Sequence, residues 1–122
     1  MTYQLEDVPA RLRPAVVATL ERADVGTCHL GVVEVDRDRM RDLNREHRGL
    51  DRPTDVLSFP IDPEAGSPGP RELGDVFLCE EECEDLEEAT VHGVLHLLGY
   101  DHETDNGEML AIQDEITGAL RA

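Results

Sequence analysis

The sequence lacks lysine and tryptophan, and its 122 residues include only two phenylalanines and two tyrosines. With so few aromatic rings, the chain has no broad platform on which the bases of a single-stranded nucleic acid could stack. Long apolar runs are also missing: no stretch approaches the ~20 residues that a membrane-spanning helix requires, and no apolar run follows a basic start. We therefore expect a cytoplasmic protein without a signal peptide or a membrane segment. The length predicts one domain, residues 1–122, with a single modest core.

Cysteine is scarce. Cys28, Cys79 and Cys83 do not make a disulfide framework, and thiols in the cytosol stay reduced. Cys79 and Cys83 are four residues apart and could in principle face one metal ion. Because Cys79 ends an apolar, strand-like run, it is better explained as a small core residue.

Positive charge is scarce as well, with 28 acidic residues against 11 arginines and a net charge of −17. Such a surface repels nucleic acid at long range and gives no electrostatic steering towards it. Six of the arginines lie between Arg37 and Arg52, together with four acids, so this stretch is net positive by two. It is the part of the chain where a phosphate group would be most favoured.

Apolar periodicity and turn residues predict an α+β fold with a small mixed sheet packed with helices. We expect helices at Pro9–Arg22, Arg37–His47 and Val91–Leu98 and a further helix after Asp101, with strands at Cys28–Val35, Val56–Phe59 and Asp75–Cys79. Residues 60–72 are rich in proline and glycine, which predicts a loop and makes a surface lid plausible.

Two acidic patterns concern helix ends. The run Glu80–Glu88 is expected to be a solvated face that places favourable charge at a helix N terminus, with an extra cation site as the alternative. Asp105 and Glu108 have the spacing of a capping box. The buried stripe of the last helix should consist of four apolar residues at helical spacing: Met109, Ile112, Ile116 and Leu120.

Three of the five histidines lie within eleven residues, as His92, His96 and His102. Residues four apart on a helix share a face, so His92 and His96 can bind one ion together. Gly99 can adopt the left-handed conformation that ends a helix, which lets the chain reverse and brings His102 back towards the pair. Three neutral imidazoles leave the fourth tetrahedral position of Zn²⁺ for water, as in catalytic zinc sites. The pattern therefore predicts one zinc ion per chain.

The spacing H-x-x-x-H-x-x-G-x-x-H is also that of metzincin peptidases. Those enzymes carry a general-base glutamate after the first histidine, and Gly93 occupies that position here. A peptidase or another zinc hydrolase is therefore a minority alternative.

The histidine run reads His92-Gly93-Val94-Leu95-His96-Leu97-Leu98-Gly99-Tyr100-Asp101-His102 and resembles the signature of the YbeY family of endoribonucleases. Two upstream segments are family-like too. The first contains Leu43-Asn44, Arg48-Gly49 and Pro53-Thr54-Asp55-Val56-Leu57-Ser58-Phe59-Pro60, and the second is Leu73-Gly74-Asp75-Val76. The segments follow the family order from about residue 30 to the C terminus.

The resemblance implies a metal-dependent endoribonuclease that acts on single strands in ribosomal RNA maturation, especially at the 3′ end of the small-subunit RNA, and in ribosome quality control. It also implies zinc on His92, His96 and His102 and a functional arginine at Arg48. We take Arg48 and His96 as the candidate catalytic residues. A guanidinium binds two phosphate oxygens at once and stays charged, so Arg48 is predicted to hold the scissile phosphate; a surface salt bridge is its alternative role.

Few aromatic residues predict weak affinity for isolated RNA, so specificity could come from the ribosomal particle or from a protein partner. The remaining alternative is a ribosome-associated module that uses zinc structurally. Such a site fills all four positions with protein ligands. No convincing fourth ligand stands out, although Cys79, Cys83 and Asp101 are open candidates.

Four residues near the motifs have two possible roles or none. Asp101 could orient an imidazole or cap a turn. Tyr100 could stack on a base or pack, and packing is favoured. His47 could transfer protons, although an exposed position at a helix end is favoured. His29 lies in a strand and is assigned no role.

One departure from the family pattern precedes the histidine helix. Family members usually carry a longer helical segment here, whereas only residues 80–91 separate Cys79 from His92. The sequence leaves open whether the helix is shorter at its start or the cleft wall is built differently.

Overall fold

The computed structural model describes residues 3–61 and 71–122. The strands are β1 (Tyr3–Glu6), β2 (Cys28–Glu34), β3 (Val56–Pro60) and β4 (Arg71–Leu78), arranged in the order β1-β2-β4-β3. β1 and β4 both run parallel to β2, whereas β3 pairs antiparallel with β4. The sheet is therefore mixed, and the predicted α+β fold is confirmed.

The helices are α1 (Arg13–Ala23), α2 (Arg37–Arg48), α3 (Leu86–Leu97) and α4 (Glu108–Leu120), with short 3-10 turns at Ala10–Leu12 and Glu80–Glu82. Pro14 lies in the first turn of α1, where its missing N–H has no intrahelical partner to lose. α2 begins at Asp36, whose carboxylate accepts a hydrogen bond from the Arg39 N–H, and ends at Gly49 with φ of +72°.

Alternate residues of β3 and β4 face opposite sides of the sheet, and each side has its own apolar cluster. On one side, Val76 and Leu78 pack against α1 and against Val94 of α3. On the other side, Leu57 packs under Met40 of α2. α4 then covers α1 and α3 through a third cluster, formed by Ala15, Val91, Leu95, Met109 and Ile116. As a result, α3 lies in the middle of the fold, between the sheet and α4.

Several predicted elements need correction. The strand β1 is absent from the sequence prediction, because its four residues are too few to display a clear alternation. α3 begins at Leu86, five residues before the predicted start at Val91, because Asp85 caps it by accepting a hydrogen bond from the Glu88 N–H at 3.0 Å. Six residues of the helix therefore precede His92, and the acidic run supplies its first turn, as the charge pattern predicts.

The start of α4 differs in detail from the predicted capping box. The cap residue is Gly107, and the Asp105 carboxylate accepts hydrogen bonds from the N–H groups of Gly107 and Met109 at 2.8 and 3.0 Å. Glu108 accepts from the Asn106 N–H at 2.6 Å. Both carboxylates thus satisfy free N–H groups near the helix start, but with a register that differs from that of a capping box.

Two predictions concern chain segments beyond the core. Of the loop and surface lid predicted at residues 60–72, residues 62–70 lie outside the described residues. The prediction was wrong at its two ends, because Pro60 belongs to β3 and residues 71–72 belong to β4. Among the described helices, none has the length and the apolar composition needed to cross a membrane.

Candidate metal centre and its cavity

The histidine cluster (His92, His96 and His102) is formed by one turn of α3 and the segment that follows it. The Nε2 atoms of His92 and His96 are 3.1 Å apart. The ring centroid of His102 is 5.1 Å from that of His92 and 5.4 Å from that of His96. One ligand atom from each ring belongs to a group in which all separations are within 4.8 Å. The three side chains are brought together as their spacing predicts.

The chain reversal that places His102 depends on Gly99. Its φ is +98°, a backbone conformation that only glycine adopts at little cost. The Tyr100 N–H donates to the Leu95 carbonyl at 3.2 Å, which closes the end of α3. Asp101 then accepts the Glu103 N–H at 3.0 Å, and within the described chain its carboxylate has no hydrogen bond to an imidazole. Of its two predicted roles, the structure gives Asp101 the turn cap.

The protonation of the cluster favours metal binding. Burial lowers the pKa of the His96 imidazole below its ordinary value, and the neighbouring His92 and His102 lower it further. His96 is therefore neutral at pH 7, which is the form that binds a metal ion. His92 is held by a hydrogen bond of 2.7 Å between its Nδ1 and the Oε1 of Gln113. An amide oxygen only accepts, so this contact is a hydrogen bond when Nδ1 carries the proton, and Nε2 is then free to face the cluster.

These donors fit a divalent metal ion such as zinc. Three imidazole nitrogens in a small group, with the opposite nitrogen of His92 already engaged, match the requirements of such a site. Among the described residues, this is the only group of histidine, cysteine or acidic side chains that could hold an ion. Cys79 and Cys83 are not part of it: Cys79 is buried beside Met40, Leu43 and Leu57.

Gly93 has a packing function that explains its place in the motif. A Cβ atom at Gly93 would lie 2.6 Å from Val76 Cγ1 and 3.0 Å from Val56 Cγ2. The Ser58 hydroxyl also donates to the Gly93 carbonyl at 2.8 Å. α3 therefore approaches the sheet too closely for any side chain here. The general-base glutamate of a metzincin is incompatible with this packing.

The histidine cluster lies in an open cavity of about 620 Å³, called here the site cavity. β3 and the segment before it form one wall, the histidines and residues 99–103 form another, and Arg48 at the end of α2 lies at the rim. Arg48 is exposed and has no ion pair within the described chain, so its predicted alternative role in a surface salt bridge is not observed.

Three of the four other arginines of α2 behave differently, and the fourth, Arg39, does not line the site cavity. Arg37, Arg41 and Arg45 are engaged by carboxylates: Arg37 Nε is 2.6 Å from Glu82, and Arg41 Nε is 2.8 Å from Asp51. Arg48 is thus a cation that faces the site cavity without a carboxylate partner among the described residues. An arginine in this state is available for an anionic ligand.

A second cavity of about 510 Å³ lies on another side of His92 and is lined by five carboxylates. These acidic residues are Asp55, Glu82, Glu84, Asp85 and Glu88. Within the described chain they do not form a group that could hold a metal ion, so the structure gives the alternative of an extra cation site no support. The site cavity is lined by three carboxylates and by Arg48, so it is the less acidic of the two cavities and the better approach for a polyanion.

The remaining candidates have structural roles. Tyr100 is half-buried and packs against the cluster between α1, α3 and α4. His47 is exposed in the last turn of α2, with its ring centroid 4.5 Å from that of Phe59. His29 is bound to two carboxylates, from Glu6 and Glu72. The favoured expectations for Tyr100 and His47 agree with these contacts.

Sequence analysis missed Gln113 and Ser58. Gln113 is 6% exposed and bonds directly to a cluster histidine. The signal was present: it lies four residues after Met109 and three before Ile116, so a polar side chain falls within the buried stripe. Ser58 has no comparable signal, because alternation along β3 does not reveal that a helix backbone approaches it.

The fold and the histidine cluster define a small α+β protein with a three-histidine candidate metal site. Its sequence matches the family described as Endoribonuclease YbeY over residues 3–121. The chain belongs to this family, as the motif resemblance predicts.

Several relatives extend this match over most of the chain. Proteins named Endoribonuclease YbeY from Persephonella marina and Acinetobacter baylyi are 36% and 41% identical, each over 91% of this chain and 82% of the relative. The Bradyrhizobium protein of the same name is 40% identical over 94% of this chain and 78% of its own length. A solution structure of a Thermotoga maritima protein aligns with a TM-score of 0.53 and 30% identity, covering 98% of this chain and 92% of that one.

Proposed function

We propose that the protein is a zinc-dependent endoribonuclease that cleaves single-stranded RNA in the cytoplasm during ribosomal RNA maturation. The proposed reaction belongs to 3′-end processing of the small-subunit RNA and to ribosome quality control. Family membership supports the ribonuclease activity. The observation that carries the site assignment is the unpaired Arg48 guanidinium in the same cavity as the histidine cluster.

In this proposal one zinc ion per chain is held by His92, His96 and His102. When bound, zinc supplies Lewis-acid polarisation of a phosphoryl oxygen or a water molecule whose pKa is lowered to about 7. The chain contributes a neutral His96 and a His92 whose Nδ1 is already engaged. The neutral His96 ring therefore presents a lone pair without first releasing a proton.

Arg48 is proposed to hold the scissile phosphate. Its guanidinium can donate two hydrogen bonds to two phosphate oxygens, and it remains charged at any relevant pH. Because it has no carboxylate partner in the described chain, no ion pair has to break before it binds RNA. Donors of this kind become more valuable as negative charge grows on the phosphoryl oxygens in the transition state.

The strongly acidic surface and the scarcity of aromatic rings argue that the enzyme recognises RNA within a ribosomal particle, or through a protein partner, rather than as a free strand. The acidic cavity beside His92 supports approach from the Arg48 side. We therefore expect cleavage of ribosomal particles to exceed that of an isolated oligonucleotide.

The test measures metal content and cleavage on one preparation. Zinc is counted by elemental analysis, and cleavage is followed on a single-stranded RNA, its duplex and small-subunit particles, with and without a chelator. About one zinc per chain and chelator-sensitive cleavage of the single strand would support the proposal. Zinc without chelator-sensitive cleavage, even on particles, would favour a zinc-containing binding module. Chelator-sensitive peptide hydrolysis would instead favour a different zinc hydrolase.

A further inference from the structure

A partly buried hydrogen-bond chain connects α4 to the histidine cluster on the side of the second cavity. Gln113 of α4 accepts the Nδ1 proton of His92 at its Oε1, over 2.7 Å. The Nε2 of the same amide donates to Glu88 Oε1 over 3.3 Å. Gln113 is 6% exposed, while Glu88 and His92 are half-buried on α3. The chain thus connects two residues one turn apart on α3 through a side chain of α4.

The direction of this chain is set by Glu88. A side-chain amide can rotate and exchange its oxygen and nitrogen, so Gln113 alone would accept from His92 or donate to it equally well. A carboxylate accepts only, so Glu88 keeps the NH₂ group on its own side. The amide oxygen is then left facing His92.

This orientation determines which nitrogen of His92 is free. With the amide oxygen at Nδ1, the proton stays on Nδ1 and the Nε2 lone pair points at the histidine cluster, 3.1 Å from Nε2 of His96. With the amide reversed, His92 would have to carry its proton on Nε2, which blocks that atom as a ligand. The same contact also fixes the rotation of the ring.

We propose that Gln113 is a positioning residue for the metal site, and that Glu88 orients it so that His92 is held as the tautomer with a free Nε2. This inference rests on the proposed zinc site, but the tautomer exists in the metal-free protein and can be measured there. It assigns functions to two residues outside the histidine motif, on two different helices.

The central variant is Gln113→Leu, which keeps the size of the side chain and removes the acceptor. We expect zinc affinity, measured by competition with a chromogenic chelator, to fall by about tenfold or more. Glu88→Gln removes the fixed acceptor while leaving Gln113 in place, so a smaller loss is expected. The matched control is Thr117→Val: Thr117 is also 6% exposed on α4, and its hydroxyl bonds only to backbone carbonyls. This control should bind zinc as the unmodified protein does.

The most selective test exchanges the two residues. In the double variant Gln113→Glu with Glu88→Gln, the carboxylate at 113 can accept from both His92 and the new amide, so the direction of the chain is restored at unchanged net charge. Zinc affinity should return to near that of the unmodified protein. A purely structural role for Gln113 does not predict this rescue.

The second measurement reports the tautomer in the metal-free protein. Nitrogen-15 spectra of the imidazoles should assign the proton of His92 to Nδ1 in the unmodified protein and show loss of this preference in Gln113→Leu. The inference is overturned if the proton lies on Nε2, or if Gln113→Leu binds zinc within twofold of the unmodified protein. Failure of the unmodified protein to bind zinc would refute the proposed function, whereas the tautomer measurement would still test the hydrogen-bond chain.

Discussion

His29 and His96 are both half-buried, but their surroundings have opposite effects on the imidazole. His29 lies between two carboxylates: its Nε2 is 2.9 Å from Glu6 and its Nδ1 is 2.6 Å from Glu72. The hydrogen bond to Glu72 is the main cause that raises its pKa, and Glu6 adds to it. His96 lies beside two other histidines: burial is the main cause that lowers its pKa, these neighbours lower it further, and a backbone hydrogen bond with Tyr100 and the charge of Asp101 oppose the shift.

The difference shows that a histidine side chain can have a structural role at one position and a candidate metal-binding role at another. His29 uses both ring nitrogens to connect β1, β2 and β4, since Glu6 and Glu72 lie on the strands on either side of it. Neither nitrogen is then available for a ligand. The histidine cluster differs, because its ligand group contains no carboxylate among the described residues. Without carboxylate partners in the described chain, the ring nitrogens of the cluster remain able to bind an ion.

The comparison is tested most strongly by removing one histidine from each site. His96→Ala should abolish stoichiometric zinc binding and reduce RNA cleavage by about a thousandfold or more, because several kcal/mol of charge stabilisation at the phosphate are lost. His29→Ala should retain both. Metal analysis and single-turnover cleavage on the two purified variants measure the contrast. Equal losses of zinc in both variants would remove the distinction between the sites.

A second prediction concerns the unpaired cation beside the cluster. Arg48→Glu should reduce cleavage by about a hundredfold or more while leaving one zinc bound, because the phosphate meets a negative charge instead of two hydrogen-bond donors. Arg39→Glu is the matched control, since Arg39 lies on the same helix, is exposed, and does not line the site cavity. If both variants lost activity to the same extent, the effect would be one of general charge, and the assignment of Arg48 would be wrong.

The third prediction addresses the packing that holds the cluster in place. Gly93→Ala puts a methyl group against Val76 and Val56, so we expect the free energy of unfolding to fall by about 1–3 kcal/mol. Gly118→Ala is the control, because an added Cβ there meets nothing within 4 Å and Gly118 lies inside α4. That change should be neutral or stabilise by up to about 1 kcal/mol. Urea titration of both variants gives the two values; a stable Gly93→Ala protein would contradict the close approach.

The histidine cluster could be predicted from the sequence because it depends on residues that are close together along the chain. Helical spacing brings His92 and His96 together, and Gly99 indicates the chain reversal that places His102 next to them. The pairing of His29 and the contact of Gln113 with His92 were not predictable in this way. Both join residues distant in sequence, and they depend on strand order and helix packing, which residue spacing does not encode. β1 was missed for the same reason, since four residues become a strand only by pairing with β2.

The smallest expected effect is the pH dependence of the His29 ion pairs. The pKa of His29 is raised in the folded protein, so its pairing with Glu6 and Glu72 stabilises the fold fully below the unfolded pKa of about 6.5, and this stabilisation is lost as the pH rises through the folded value. His29→Gln should therefore be less stable than the unmodified protein at low pH, by about 1 kcal/mol or less for such a partly exposed pair. The difference should shrink as the pH rises to 9. Urea unfolding at pH 5.5, 7 and 9 measures it, and a gap that grows with pH would show that the carboxylates are not what holds this histidine.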